Sequence, residues 1–296
     1  MLSIMNSEVT YLRQMGYVRN YPRVISRTEH INTTSNSPEM IEMLTYRANA
    51  LAALHRDDEA VETYTRIIGL NGQTAQIYLD KGLLEINLGR FVEAAASLHE
   101  VLRLETENLH ALDALVHIAE SCHQWQDLLL LTEKCLAIAP DEVGFLLARA
   151  DAFRHLGQWQ QAIETGRQAL VHAADDEDLS MIHTHLGWTY SSMKDWSRAE
   201  RELRLALEAY DEFADSHFLL GLSLAESGKV AAGLEAAERS FQFDPDNAYA
   251  YKVRAIILLK MGQREKAIAD LRQARELDYR LDYDDEVDVL LQRLLQ

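Results

Sequence analysis

AYAYKVRAIILLKMGQREKAIADLRQARELDYRL, residues 248–281, is the stretch from which the fold can be read. Tyr251, Ala255 and Leu258 fall at steps of four and three, the stripe one helix face requires, and Gly262 then ends that helix because glycine readily takes the left-handed conformation at a C-terminus. A second apolar stripe follows at Ala267, Ile268, Leu271, Ala274 and Leu277. The spacing predicts two antiparallel helices of about twelve residues. Small residues at Ala255, Ala267 and Ala274 let the two backbones approach, while Tyr251 and Leu271 fill the space between layers. Neither helix buries its face alone, so a neighbour of the same kind is required.

Working outward, the same template lies over each preceding block. Its small residue recurs as Ala60, Ala94, Ala162, Ala199, Gly233 and Ala267, at spacings of 34, 68, 37, 34 and 34 residues. A fixed period of this size means a stacked array of one repeated unit. Seven units are expected, at 41–74, 75–108, 109–142, 143–179, 180–213, 214–247 and 248–281. The fourth carries three extra residues in the acidic turn around Asp175, Asp176, Glu177 and Asp178, and the third has Leu128 where its neighbours have a small residue.

Composition narrows the class. The chain has 296 residues, 48% of them hydrophobic, enough to bury a large core, and only four prolines and thirteen glycines, which suits helices with short connections. Twenty-nine Lys and Arg against 47 Asp and Glu give a formal charge of -18, which repels a polyphosphate backbone and argues against nucleic acid as a partner. No run of eighteen apolar residues and no cationic leader followed by an apolar core is present, so the chain reads as soluble and cytoplasmic, without a membrane span. Cys122 and Cys135 lack the spacing of a zinc knuckle or a disulfide framework and are expected as reduced thiols.

With these residues in register, the chain resembles the tetratricopeptide repeat (TPR) family. That family's pattern is met by Tyr78, Gly82, Ala94 and Leu98 in one unit and by Leu186, Gly187, Tyr190, Ala199, Leu203 and Ala206 in another. Arg47, Lys81, Arg149 and Arg254 depart from it, standing where leucine is usual. The resemblance implies an all-α, right-handed α-solenoid of helix-turn-helix repeats whose concave groove is lined by the first helix of each repeat.

The ends differ. Asp282, Asp284, Asp285 and Glu286 precede Val287, Leu290, Leu291 and Leu294 at helical spacing, so residues 282–296 are expected to form a capping helix over the open end of the array. Residues 1–40 fit no repeat; there Tyr11, Tyr17 and Tyr21 alternate with Arg13, Arg19, Arg23 and Arg27. This arm caps the array, lies in its groove or binds a partner. The arm and the C-terminal helix are also the two candidate surfaces for self-association.

Catalytic signatures are missing: no glycine-rich phosphate loop, no nucleophile elbow and no His-Glu-x-x-His. His110, Asp113, His117 and Glu120 share one helix face, with Asp151 and Arg154 in the following unit, and read as a polar partner-binding patch rather than a metal site. By the family's groove positions, later units add Met181, Trp188, Phe218, Leu222, Tyr249 and Ile256, an aromatic and aliphatic section beside the charged one. Such a surface suits a helix or an extended peptide. Relatives that clamp a C-terminal carboxylate do so with Lys and Asn; the matching positions here hold Thr45, Asn49, Asp80, His110 and Ala114, so that clamp is absent. The expected function is a non-enzymatic scaffold or adaptor binding a peptide or protein segment, with no cofactor. The alternative is a regulatory or targeting subunit of a separate enzyme or assembly machine.

Overall fold

The structure is a computed structural model, and it describes residues 20–28, 37–277 and 286–296. Among the described residues the regular structure is entirely helical. The chain divides after Ile118 into two compact units. The first holds α1 (Tyr21–Thr28), α2 (Pro38–Ala53), α3 (Asp57–Gly69), α4 (Ala75–Asn87), α5 (Phe91–Leu104) and most of α6 (Leu109–Ser121). The second begins with α7 (Trp125–Ile138), α8 (Val143–His155), α9 (Trp159–Ala169), α10 (Asp176–Ser192) and α11 (Trp196–Ala209). It continues through α12 (Ala214–Glu226), α13 (Val230–Ser240), α14 (Ala248–Lys260), α15 (Arg264–Glu276) and α16 (Glu286–Leu295).

Each hairpin closes through the same backbone device. The second residue after the first helix is left-handed at His55, Gly89, His123, Gly157, Lys194, Gly228 and Gly262, with φ between 55° and 86°. Glycine takes this conformation without a Cβ clash, and His55, His123 and Lys194 hold it at a steric cost. Six of the following helices or their predecessors gain a side-chain cap: Ser37, Thr74, Asn108, Asp175, Asp195 and Asn247 each accept a hydrogen bond from the backbone N–H three residues on.

The small residues do what their spacing implies. A Cβ on Gly221 would stand 2.7 Å from the Gly233 carbonyl oxygen, and one on Gly233 would stand 2.6 Å from that of Gly221. The backbones of α12 and α13 therefore touch. The polar intruders are also accommodated inside their hairpins: Lys81 donates to Glu85 at 2.5 Å and to Ser97 at 3.1 Å, and Arg254 makes two 2.7 Å hydrogen bonds to the Asp270 carboxylate. Arg149 lies over the Phe153 ring at 5.6 Å.

One feature differs from the sequence reading. The acidic residues Asp176, Glu177 and Asp178 are not a turn but the first turn of α10, capped by Asp175, where their charge complements the helix dipole. The described piece of the N-terminal arm is a helix, α1, whose Val24 and Ile25 enter the same core as Leu44, Leu51, Tyr64 and Ile67. Tyr11, Tyr17, Arg13 and Arg19 lie outside the described residues, as do Asp282, Asp284 and Asp285. At the other end Val287 and Leu291 of α16 are buried against Leu258 and Leu271.

Candidate functional site

In the second unit the first helices of successive hairpins lie side by side, α8 against α10, α10 against α12 and α12 against α14. Buried hydroxyls pair across α10 and α12: Thr184 and Ser216 are 2.6 Å apart, and Ser191 and Ser223 are 3.3 Å apart. These small side chains hold the helices close and leave the longer ones between them to build a surface.

A charged network starts on α8. Asp151 accepts from Arg154 Nε at 3.1 Å and from His185 Nδ1 on α10 at 3.1 Å. Burial by itself raises a carboxyl pKa, but His185 and Arg154 outweigh it and hold Asp151 well below the usual carboxylate range. Burial likewise opposes the charged form of His185, and Asp151 overrides it, so this imidazole is pushed up. Arg154 also donates to His155 Nε2 at 2.9 Å. His155 is driven down to about 4, by burial first and by Arg154 next, so it stays neutral and stacks flat on Trp125 at 3.8 Å. Nearby Asp215 opens α12 and accepts from Asn247 at 3.4 Å, and burial raises its carboxyl.

The network passes directly into an aromatic group. The Arg154 guanidinium lies 4.8 Å from the Trp188 ring centre, Trp188 meets Tyr249 edge to face at 5.8 Å, and Lys252 lies 5.8 Å from the Tyr249 ring. Phe218 stands against both rings at 6.1 Å. It was expected as an exposed anchor, yet it is 0% exposed, so it is a packing residue that Trp188 and Tyr249 stand against. Trp188 and Tyr249 are half-buried and keep accessible surface, and so do Met181, Leu222 and Ile256. Met181 and Leu222 rest on the same core as the two rings.

The structure thus brings together Asp151, Arg154, Trp188, Phe218 and Tyr249. In the first unit His110, Asp113 and His117 are exposed side by side on α6, while Glu120, in the second, is half-buried. The first unit also shows what replaces the carboxylate clamp. The Tyr64 hydroxyl reaches between α2 and α4, 2.5 Å from Asn49 Oδ1 and 3.3 Å from Asp80 Oδ2, and burial and Asp80 raise its pKa. An incoming carboxylate would meet Asp80 rather than a cation.

His185, Trp125 and Lys252 join the site although their sequence positions did not single them out. The Asp151–Arg154 pair is legible as a three-residue helical step; His185 reaches Asp151 only once α8 and α10 lie together, and no local pattern encodes that contact. Asp151 is held in an ion pair with Arg154, and the neutral imidazole of His155 is stacked on Trp125 and bonded to Arg154. Among the described residues no three or more His, Cys, Asp or Glu are grouped to hold a metal ion, and no helix is long and apolar enough to cross a membrane.

Comparison with known proteins places the architecture. Two family models, both described as tetratricopeptide repeat, match residues 45–106 with 185–248 and residues 143–212. A TPR protein from Parabacteroides merdae superposes with a TM-score of 0.75 at 16% identity, covering 86% of this chain and 99% of that one. The APC/C hetero-tetramer Cut9-Hcn1 gives 0.63 at 13% identity, over 99% of this chain and 55% of that one. In sequence, the chain is 24% identical over 253 residues to the Arabidopsis thaliana Protein CTR9 homolog, covering 82% of this chain and only 23% of the relative's length. Repeats of this kind generally mediate protein–protein interaction. The repeat models over both units, the recurrent left-handed turns and the paired helices agree: the chain belongs to the tetratricopeptide repeat family.

Proposed function

We propose that the protein is a non-enzymatic scaffold whose second unit binds a peptide or protein segment across the first helices of its hairpins. The observation that carries this reading is the pair Trp188 and Tyr249, two aromatic rings kept half-buried and accessible by a core that packs Phe218 beside them. Rigid aromatic anchors next to a fixed charged network are the composition of an interaction hot spot. His110, Asp113 and His117, exposed on α6 of the first unit, are proposed as a polar contact patch of that unit by itself.

Trp188→Ala removes an accessible anchor, and Phe218→Ala removes a packing residue. In pull-downs analysed by mass spectrometry, Trp188→Ala should lose specific partners while its thermal unfolding stays cooperative and near that of the parent. Retention of every partner by a folded Trp188→Ala chain would sink the proposal. A second reading, a subunit of a larger assembly, has the likeness to Cut9-Hcn1, itself a hetero-tetramer, behind it. Co-purification at fixed stoichiometry, rather than exchangeable peptide binding, favours that alternative.

A further inference from the structure

The terminal helix α16 is held on the array by a narrow apolar seam and three cations. It packs on α15 as α14 packs on α13, so it takes the place of the first helix of a further hairpin. Yet α14 buries Ala250, Val253, Ala255, Ile257 and Leu258, whereas α16 buries only Val287 and Leu291, with Leu290 and Leu294 partly covered. A ten-residue helix does not hold together alone in water, and two fully buried side chains do little more than offset the cost of ordering it. Docked and released forms of α16 therefore lie close in free energy.

The three cations fix which way round a helix lies there. At the N-terminal end of α16, Lys252 of α14 pairs with Glu286, and Arg275 of α15 lies 3.8 Å from Asp288. At its C-terminal end Arg264 of α15 donates from Nε at 3.1 Å, and also from Nη2, to the Leu294 carbonyl oxygen, one of the acceptors that a helix end leaves without an intrahelical partner. Exposed pairs of this kind add little strength. They do select: a helix with basic residues in its first turn meets Lys252 and Arg275 as like charges, and one docked in reverse leaves Arg264 without its carbonyl. A short apolar stripe for affinity and charges at both ends for direction are the two parts of helix-in-groove recognition.

We infer that the end face formed by Leu258 and Leu271, with Lys252, Arg264 and Arg275 around it, is a binding site for an amphipathic helix of a partner, and that α16 occupies it in cis as the chain's own ligand. The partner helix has the pattern of α16: carboxylates in the first turn, then apolar residues spaced as Val287, Leu290, Leu291 and Leu294. Residues 277–285 join α16 to α15, so its effective concentration is on the order of millimolar, and a helix in trans must bind more tightly than α16 to displace it. The site is separate from the docking role proposed for Trp188 and Tyr249 and stands or falls without it.

Amide hydrogen exchange of the unaltered chain gives the first reading. The amides of α16 should exchange at least about tenfold faster than those of α15, and equal protection would make α16 a fixed part of the core and overturn the inference. The second reading uses the full chain with Val287→Asp and Leu291→Asp, which undock α16, and a fluorescent peptide copying residues 282–296. The peptide should bind this variant about tenfold or more tightly than it binds the parent, whose own α16 competes. A peptide carrying Glu286→Lys and Asp288→Lys should bind about fivefold more weakly. Circular dichroism checks that the variant is folded, and Leu291→Ala alone carries the test if the double variant is not. No saturable binding to a folded variant, or equal affinity for parent and variant, would overturn the site. So would dimers of the parent formed by exchange of α16 between two copies in place of peptide binding.

Discussion

Lys194 shows how much a single backbone angle is worth. It occupies the left-handed position that glycine fills in four other hairpins, with φ of 59°, and its Cβ makes that conformation costly. Lys194→Gly should stabilise the second unit by about 0.5–1 kcal/mol, read as a higher urea midpoint at unchanged slope. His155 and His185 make opposite contributions to pH dependence. His155 titrates lower in the folded chain, at about 4, than the usual value of 6.5, so the unfolded chain binds more protons between those values and stability falls as pH drops through that window. His185 titrates higher when folded because of Asp151, so its contribution is complete below about 6.5 and is lost as pH rises through its folded value. The groups facing this pair are Asp151, Arg154, His123 and Asp215. Thermal melts across pH should flatten on the acid side in His155→Gln and on the alkaline side in His185→Gln.

Between helices, the decisive contacts are those that close each hairpin. Arg254 and Asp270 join α14 to α15 with two hydrogen bonds, their side chains 24% and 11% exposed. Removing one partner leaves a largely buried charge, so Asp270→Ala should cost about 3 kcal/mol in chemical denaturation, and adding Arg254→Leu should recover most of it. Gly221→Ala places a methyl group 2.7 Å from a carbonyl oxygen of the facing backbone and should cost about 1–3 kcal/mol. These contacts also mark what was legible beforehand. Ala255, Gly262, Ala267 and Leu271 announce two packed helices by local spacing, because a helix repeats every few residues and its stripe is written consecutively. The start of α10 at Asp176 was missed, because a run of carboxylates reads as a turn until Asp175 is seen capping it. Phe218 occupies a groove position by register but is buried, because the small Gly221 and Ser216 draw α12 in toward its neighbours. Registers name the face of a helix; depth depends on how near the next helix comes.

For the molecule as a whole, charge and periodicity set the behaviour. A formal charge of -18 makes the folded chain repel itself, and salt screens that repulsion beyond about 10 Å at 0.1 M. The melting temperature should therefore rise between about 10 mM and 150 mM NaCl and should rise less in a variant with several exposed carboxylates neutralised. Screening favours the compact state here even though individual pairs such as Arg56–Glu59 weaken, because such exposed pairs contribute little. The left-handed turns at Lys194 and Gly228 carry a further consequence. Both are left-handed, with φ of 59° and 86°, and they stand one repeat apart, so a variant lacking residues 195–228 keeps a left-handed residue at the junction. A chain shortened by that one repeat should therefore still fold cooperatively, with one fewer first helix in its side-by-side row, a prediction that circular dichroism and urea unfolding check.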